Sequence, residues 1–187
     1  MSISLSNISI KTYLQLLPAV SNIMQKAKVH FEEEGTSLQE IVDMRLYEDM
    51  ATFAFQVFSI AHHSLGAINA LKDGEFGPPN MSPGLDFETL HNMIDDAEAQ
   101  LSKVNCEDID GLLDGQVIFK MGDVRWPFTN EDFILSFSLP NFYFHVTTNS
   151  QRYPRKKQFR APERPTTRST VCSASGFSAR QLAVRLG

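Results

Sequence analysis

Apolar residues return at intervals of three and four along four stretches of this chain, the spacing that gathers them on one face of an α-helix. In the first, residues 8 to 33, they are Ile8, Ile10, Tyr13, Leu14, Leu17, Val20, Ile23, Met24 and Ala27. Ser6 or Asn7 is placed to cap its start and Gly35 follows its end, while Pro18 inside it predicts a bend, because proline removes a backbone donor and crowds the preceding turn. A short capped turn at Thr36 to Glu40 leads to a second helix from about Glu48 to Leu71, closed by Asp73-Gly74. Asp86 caps a third, Phe87 to about Lys103, with Leu90, Met93, Ile94, Ala97 and Leu101 on one face. Thr129 caps the fourth, which runs through Phe133 to Thr148 and is apolar on every side, as expected of a helix surrounded by other helices.

The segments between are read from turn chemistry and alternation. Residues 74 to 84 are a Gly- and Pro-rich connection. Val117 to Phe119 and Val124 to Phe128 flank Gly122-Asp123 as a small hairpin, and Pro127 confines the second strand to an edge. The acidic turn from Cys106 to Asp114 lacks the glycine and terminal glutamate of a helix-loop-helix calcium site. The expected fold is therefore all-α, a four-helix bundle with a β-hairpin before the last helix.

Charge divides the chain into two parts. Residues 1 to 148 carry 8 Lys and Arg against 21 Asp and Glu, whereas residues 149 to 187 carry 9 against 1. The first part is an acidic helical domain, which repels phosphate backbones and disfavours nucleic acid as its partner. The second is basic, rich in Arg, Ser, Thr and Pro, and too poor in large apolar residues to offset the entropy of ordering, so it is expected to be disordered. No stretch reaches the roughly 20 apolar residues of a membrane helix, and no secretory signal is recognisable at the start. Cys106 and Cys172 have no metal-ligand spacing and read as free thiols of a reducing cytoplasm.

Candidate chemistry lies on the second and fourth helices. Asn141 and His145 stand one turn apart in the middle of the apolar fourth helix. On the second, Asp49, Thr52, Gln56, Ser59, His63 and Gly66 form a polar stripe at steps of three and four. The stripe is either a solvent face or one wall of a pocket whose other wall carries His145. The absence of Lys and Arg between Arg45 and Lys72 favours the pocket, since an exposed face of that length ordinarily carries several. His62 and His63 point about 100° apart on an α-helix, so only one of them is expected at such a site. His30 and His91 read as surface residues. There is no Gly-rich phosphate loop, no Gly-x-Ser-x-Gly elbow and no paired-cysteine motif.

Several of these stretches resemble a known family. Arg45-Leu46-Tyr47-Glu48-Asp49-Met50, Gln56-Val57, Asp132-Phe133-Ile134-Leu135 and Pro140-Asn141-Phe142-Tyr143-Phe144-His145-Val146-Thr147-Thr148 look like a family of short bacterial and fungal proteins. It is the domain of unknown function numbered nineteen-ninety-three, within the DinB-like helical-bundle superfamily. The resemblance covers about residues 1 to 148 and implies an up-down-down-up bundle, often a homodimer. It also implies a divalent metal held by histidines in many superfamily members, some of which transfer small thiols or hydrolyse small substrates. Carried over, it makes His145 a metal ligand with His63 as a second, and Asp49, read from the polar stripe, is the carboxylate that would complete a site with open positions.

Two functions follow from these readings. One is a helical-bundle protein that holds a small apolar ligand or a partner, its 14 Phe and 7 Met lining an adaptable cavity. The other is a small-molecule enzyme in which His145 is metal ligand or general base, Asn141 orients substrate, and Asp49, Gln56 or His63 completes the site. The basic tail has its own alternatives. Arg155-Lys156-Lys157 with Arg152 and Arg160 suits a nuclear-import or polyanion-binding arm, which would make the protein nuclear. The family resemblance instead predicts that the last helix continues where this chain has Asn149-Ser150-Gln151-Arg152-Tyr153-Pro154, a change that an altered reading frame or a wrong splice junction would produce. Translation of the other frames of the gene from codon 149 is expected to restore a helical end, and the idea fails if none does.

Overall fold

The structure, a computed structural model, describes residues 4–150; the basic tail beyond, with Cys172 and the Arg155-Lys156-Lys157 cluster, lies outside the described residues. The elements in chain order are α1 (Leu5–Ile8), α2 (Ile10–Glu33), α3 (Leu38–Asp43), α4 (Phe53–Ala61), α5 (Ala67–Asp73), β1 (Glu75–Phe76), α6 (Phe87–Leu101), α7 (Cys106–Asp110), β2 (Gln116–Met121), β3 (Val124–Thr129), α8 (Asn130–Asp132) and α9 (Leu139–Ser150). Two π-helical segments interrupt the sequence of α-turns: His62–Gly66 joins α4 to α5, and Phe133–Ser138 joins α8 to α9.

Four long rods result: α2, the α4–α5 rod, α6, and the α8–α9 rod. Their contacts fix the directions. Lys28 pairs with Glu88 at 2.9 Å while Ser21 meets His91 at 2.9 Å and Asp95 at 2.6 Å, so α2 and α6 are antiparallel. Phe53 stacks on Phe87 at 5.9 Å, N-terminal end beside N-terminal end, which makes α4 and α6 parallel. His63 meets Ser138 and Gln56 meets His145, so the second and fourth rods are antiparallel. The topology is up-down-down-up, as expected. Apolar faces from all four rods meet in one core containing Tyr13, Leu17, Met24, Phe53, Ile60, Ile68, Leu90, Ile94, Phe133 and Phe142, each almost fully buried.

Local signals account for the rod ends. Thr52 Oγ1 accepts the Phe55 N–H at 3.3 Å, Asp86 Oδ1 the Thr89 N–H at 2.8 Å, and Thr129 Oγ1 the Asp132 N–H at 3.1 Å. Gly74 ends α5 at φ +74°, a conformation costly for any residue with a Cβ. α2 passes through Pro18, which sits on its exposed side. The start of the second rod differs from expectation: it begins at Phe53, not near Glu48, because the Thr52 cap starts the helix and Arg45 holds the preceding turn by donating to the Met50 carbonyl at 2.5 Å.

The small sheet is larger than the hairpin read from sequence. β2 and β3 pair antiparallel from Gln116↔Thr129 to Met121↔Val124, with Pro127 on the edge strand as expected. β1, two residues inside the stretch expected to be a plain connection, pairs parallel to the other side of β2 through Glu75↔Ile118 and Phe76↔Phe119. Phe76 faces the core beside Phe119, Phe133 and Phe137, which anchors the sheet against the bundle.

Phe53→Ala should cost about 3–5 kcal/mol in urea unfolding, since the ring is fully buried and its removal leaves a cavity between α4 and α6. Leu113→Ala, on an exposed side chain, should stay within about 0.5 kcal/mol of the parent.

Candidate functional site

The uncharged part of the polar stripe is buried. Gln56, Ser59 and His63 lie at 2%, 0% and 5% exposure along the side of the second rod that faces α9. Steps of three and four keep them on one face, and the lack of charge lets that face be desolvated. From the opposite wall His145 enters at 8% exposure, and its Nδ1 lies 2.7 Å from Gln56 Oε1. An amide oxygen only accepts, so Nδ1 carries the proton and Nε2 presents a lone pair. The His63 ring stacks on that of His145 with centroids 5.8 Å apart and planes within 20°.

Aromatic rings surround the pair. Phe55 meets His145 edge-on at 6.1 Å, and Phe76 and Phe137 lie 5.5 Å and 5.9 Å from His63. Inside this shell, His63 Nδ1 and Ser59 Oγ are buried without a hydrogen-bond partner. Buried polar atoms left unpaired cost roughly 1–3 kcal/mol each, so two on one face are a feature in need of a partner. Asn149, one turn beyond His145, is also buried with its amide unpaired among the described residues.

Burial sets the protonation state. Desolvation lowers the His63 pKa to about 3, helped by the neighbouring imidazoles of His62 and His145. Desolvation lowers His145 to about 4, with His62 adding to it. His62 is lowered too, by burial, partly offset by its bond to the Gly77 carbonyl. All three rings are therefore neutral at pH 7.

The candidate residues fare differently. His145, His63 and Gln56 are brought together. Asp49 is not: it lies exposed in the turn before the Thr52 cap, and a residue ahead of the cap does not continue the helical stripe. Asn141 donates its Nδ2 proton to the Phe137 carbonyl at 2.7 Å, one turn back along its own helix. His62 was expected to point away from His63, yet their rings meet edge-on at 5.3 Å, the separation that sequence neighbours Phe144 and His145 also show in α9. His62 Nε2 donates to Gly77 O at 2.9 Å and its ring stacks on Phe76 at 4.3 Å. Sequence reasoning missed that role, as it missed Ser138, whose hydroxyl in an otherwise apolar stretch was the available signal. His91, read as a surface residue, is half-buried against Ser21.

A resident metal fits this donor set poorly. Catalytic zinc sites use three protein ligands and an open position. Among the described residues no three His, Cys, Asp or Glu side chains are grouped to hold an ion.

The rods, their directions and the buried wall between the second and fourth define a DinB-like helical bundle. A crystal structure of a DinB family member protein from Shewanella denitrificans shares this fold, with a TM-score of 0.66 and 17% identity over 79% of this chain and 83% of that one. Within that class, residues 5–150 match the model described as Domain of unknown function (DUF1993), and the chain belongs to that family. No curated protein matches it. Among the described residues no helix is long and apolar enough to cross a membrane.

Acid should weaken the fold through the two imidazoles. Unfolded, each takes up a proton near 6.5; folded, they resist until about 4 and about 3. Their contribution is thus complete above the unfolded value and is lost as pH falls from there toward the folded ones. Urea midpoints measured between about pH 7 and about pH 4.5 should fall by an amount worth a few kcal/mol, and His145→Gln should flatten that dependence. An unchanged slope in the variant would show that His145 is not held neutral by burial.

Proposed function

We propose that this chain is a ligand-holding helical bundle whose site is the buried face of Gln56, Ser59, His63 and His145. It takes a small, uncharged, mainly apolar molecule that carries an O–H or N–H group. The observation that carries this reading is the pair of unpartnered buried atoms, His63 Nδ1 and Ser59 Oγ, beside the free lone pair of His145 Nε2. A ligand proton donated to Nε2 and an acceptor facing Ser59 would satisfy two of the three open positions, and a second polar group on the ligand would be needed to reach His63 Nδ1. Phe55, Phe76 and Phe137 supply apolar contact, and with no cation or carboxylate on the buried face a charged ligand would lose its hydration without compensation.

The enzymatic alternative is weaker on two counts. A general base serves best with a pKa near the working pH, and burial holds His145 at about 4, which suits accepting a hydrogen bond rather than keeping a proton. A metal-dependent thiol transferase or hydrolase would need ligands beyond the two imidazoles, and Asp49 is not placed to supply one.

Phenol, an uncharged aromatic O–H donor, is the probe. Added to the ¹⁵N-labelled chain, it should saturably shift the imidazole signals of His145 and His63 and leave those of His30 unmoved. Ser59→Ala should weaken binding about tenfold, the loss of roughly 1.4 kcal/mol expected for one hydrogen bond. Benzoate should not compete. Phenol that leaves both imidazoles unmoved sinks the reading, and stoichiometric zinc uptake abolished by His145→Ala would replace it with the metal-dependent one.

A further inference from the structure

The main chain of His63 is gripped from the fourth rod by a side chain that is itself held from the first. Ser138 Oγ donates to the His63 carbonyl at 2.7 Å, and Tyr13 Oη lies 3.1 Å from the same Oγ. A serine hydroxyl has one proton, and a carbonyl oxygen cannot donate, so that proton goes to His63 and the tyrosine must be the donor in the other bond. The order is fixed: Tyr13 to Ser138 to His63. Both side chains are fully buried, and Tyr13 also holds its ring edge-on to Phe142 at 4.9 Å. Burial raises the Tyr13 pKa, which keeps the phenol protonated and so always a donor.

Two of the three members of this chain of hydrogen bonds sit in unusual backbone. His63 belongs to the π-segment of the second rod, and Ser138 closes that of the fourth. A π-turn is wide and less constrained by its own hydrogen bonds than an α-turn, and such turns cluster at functional sites. Within the first, the Ser64 hydroxyl takes the Ile60 carbonyl at 2.7 Å, a back-bond that loosens the turn further. Something outside the rod must then set the angle at which the His63 ring leaves it. From these observations we infer that Tyr13 and Ser138 are positioning residues for His63: their relay pins its carbonyl and so holds its ring parallel to that of His145, between Phe76 and Phe137.

This rests on the reading of the imidazole pair as a binding site, but its test is made on the ligand-free chain, so that phenol binding and the relay can fail separately. The comparison set is Ser138→Ala, Tyr13→Phe, Ser138→Thr and, as control, Ser9→Ala, which removes an equally buried hydroxyl that bonds the Leu5 carbonyl and takes no part in the relay. Melting temperature should fall in Ser138→Ala, Tyr13→Phe and Ser9→Ala alike. Imidazole spectra at neutral pH should separate them: the ring-to-ring Overhauser contact between His63 and His145 is lost in Ser138→Ala, weakened in Tyr13→Phe, and kept in Ser9→Ala. Ser138→Thr, which keeps the hydroxyl, should retain it. If Ser138→Ala does not fold, Tyr13→Phe carries the test alone, because it keeps the ring and its contact with Phe142. An unchanged contact in both relay variants overturns the proposal, as does an equal loss in Ser9→Ala.

Discussion

The hydrogen bond between His145 and Gln56 is the contact on which the arrangement of the second and fourth rods turns. It joins two polar side chains inside a largely aromatic and aliphatic shell, and burial there requires the imidazole to stay neutral, with its proton on Nδ1. That requirement explains the composition around it. A lysine, arginine or carboxylate anywhere on the facing row would shift the protonation balance or demand a counter-ion, and the row from Thr52 to Gly66 has none. The neutral wall in turn permits the close stacking of His63 on His145, which two charged rings could not sustain.

Much of the fold could be read from spacing alone, and the reasons are local. Asp86 and Thr129 announce their helices by capping chemistry, Gly74 stops one by its positive φ, and Pro127 marks an edge strand. What escaped was set by contacts distant in sequence. β1 is two residues long and gains its identity only by pairing with β2, some forty positions later. The π-turns have no periodic signature of their own, since five or six residues cannot distinguish one helical period from another. They show only in the backbone itself, where His62–Gly66 and Phe133–Ser138 depart from α-turns.

The candidate site was legible to a similar degree. An uncharged polar stripe facing an apolar helix that contains one histidine is a readable pattern, and Gln56, His63 and His145 do meet. Asp49 and Asn141 were read by helical spacing, which does not carry that one lies outside the cap and that the other donates its amide proton to its own helix. The division by charge at residue 148 was equally plain, and the family match ends beside it, at residue 150, where the described part of the chain also stops.

Phe76 gives the small sheet a meaning beyond its size. The ring lies on His62, touches His63, and packs against Phe133 and Phe137 of the fourth rod, while its backbone is stitched to β2. The hairpin is thereby a lever arm attached to the floor of the imidazole cluster. The segment after Gly77 rests on the core through Met81 and Leu85, whereas the distance from Gly74 to Phe76 is a fixed gauge. One residue added or removed there would turn the ring to the other face of the strand, and the cluster would lose its floor without any histidine being touched.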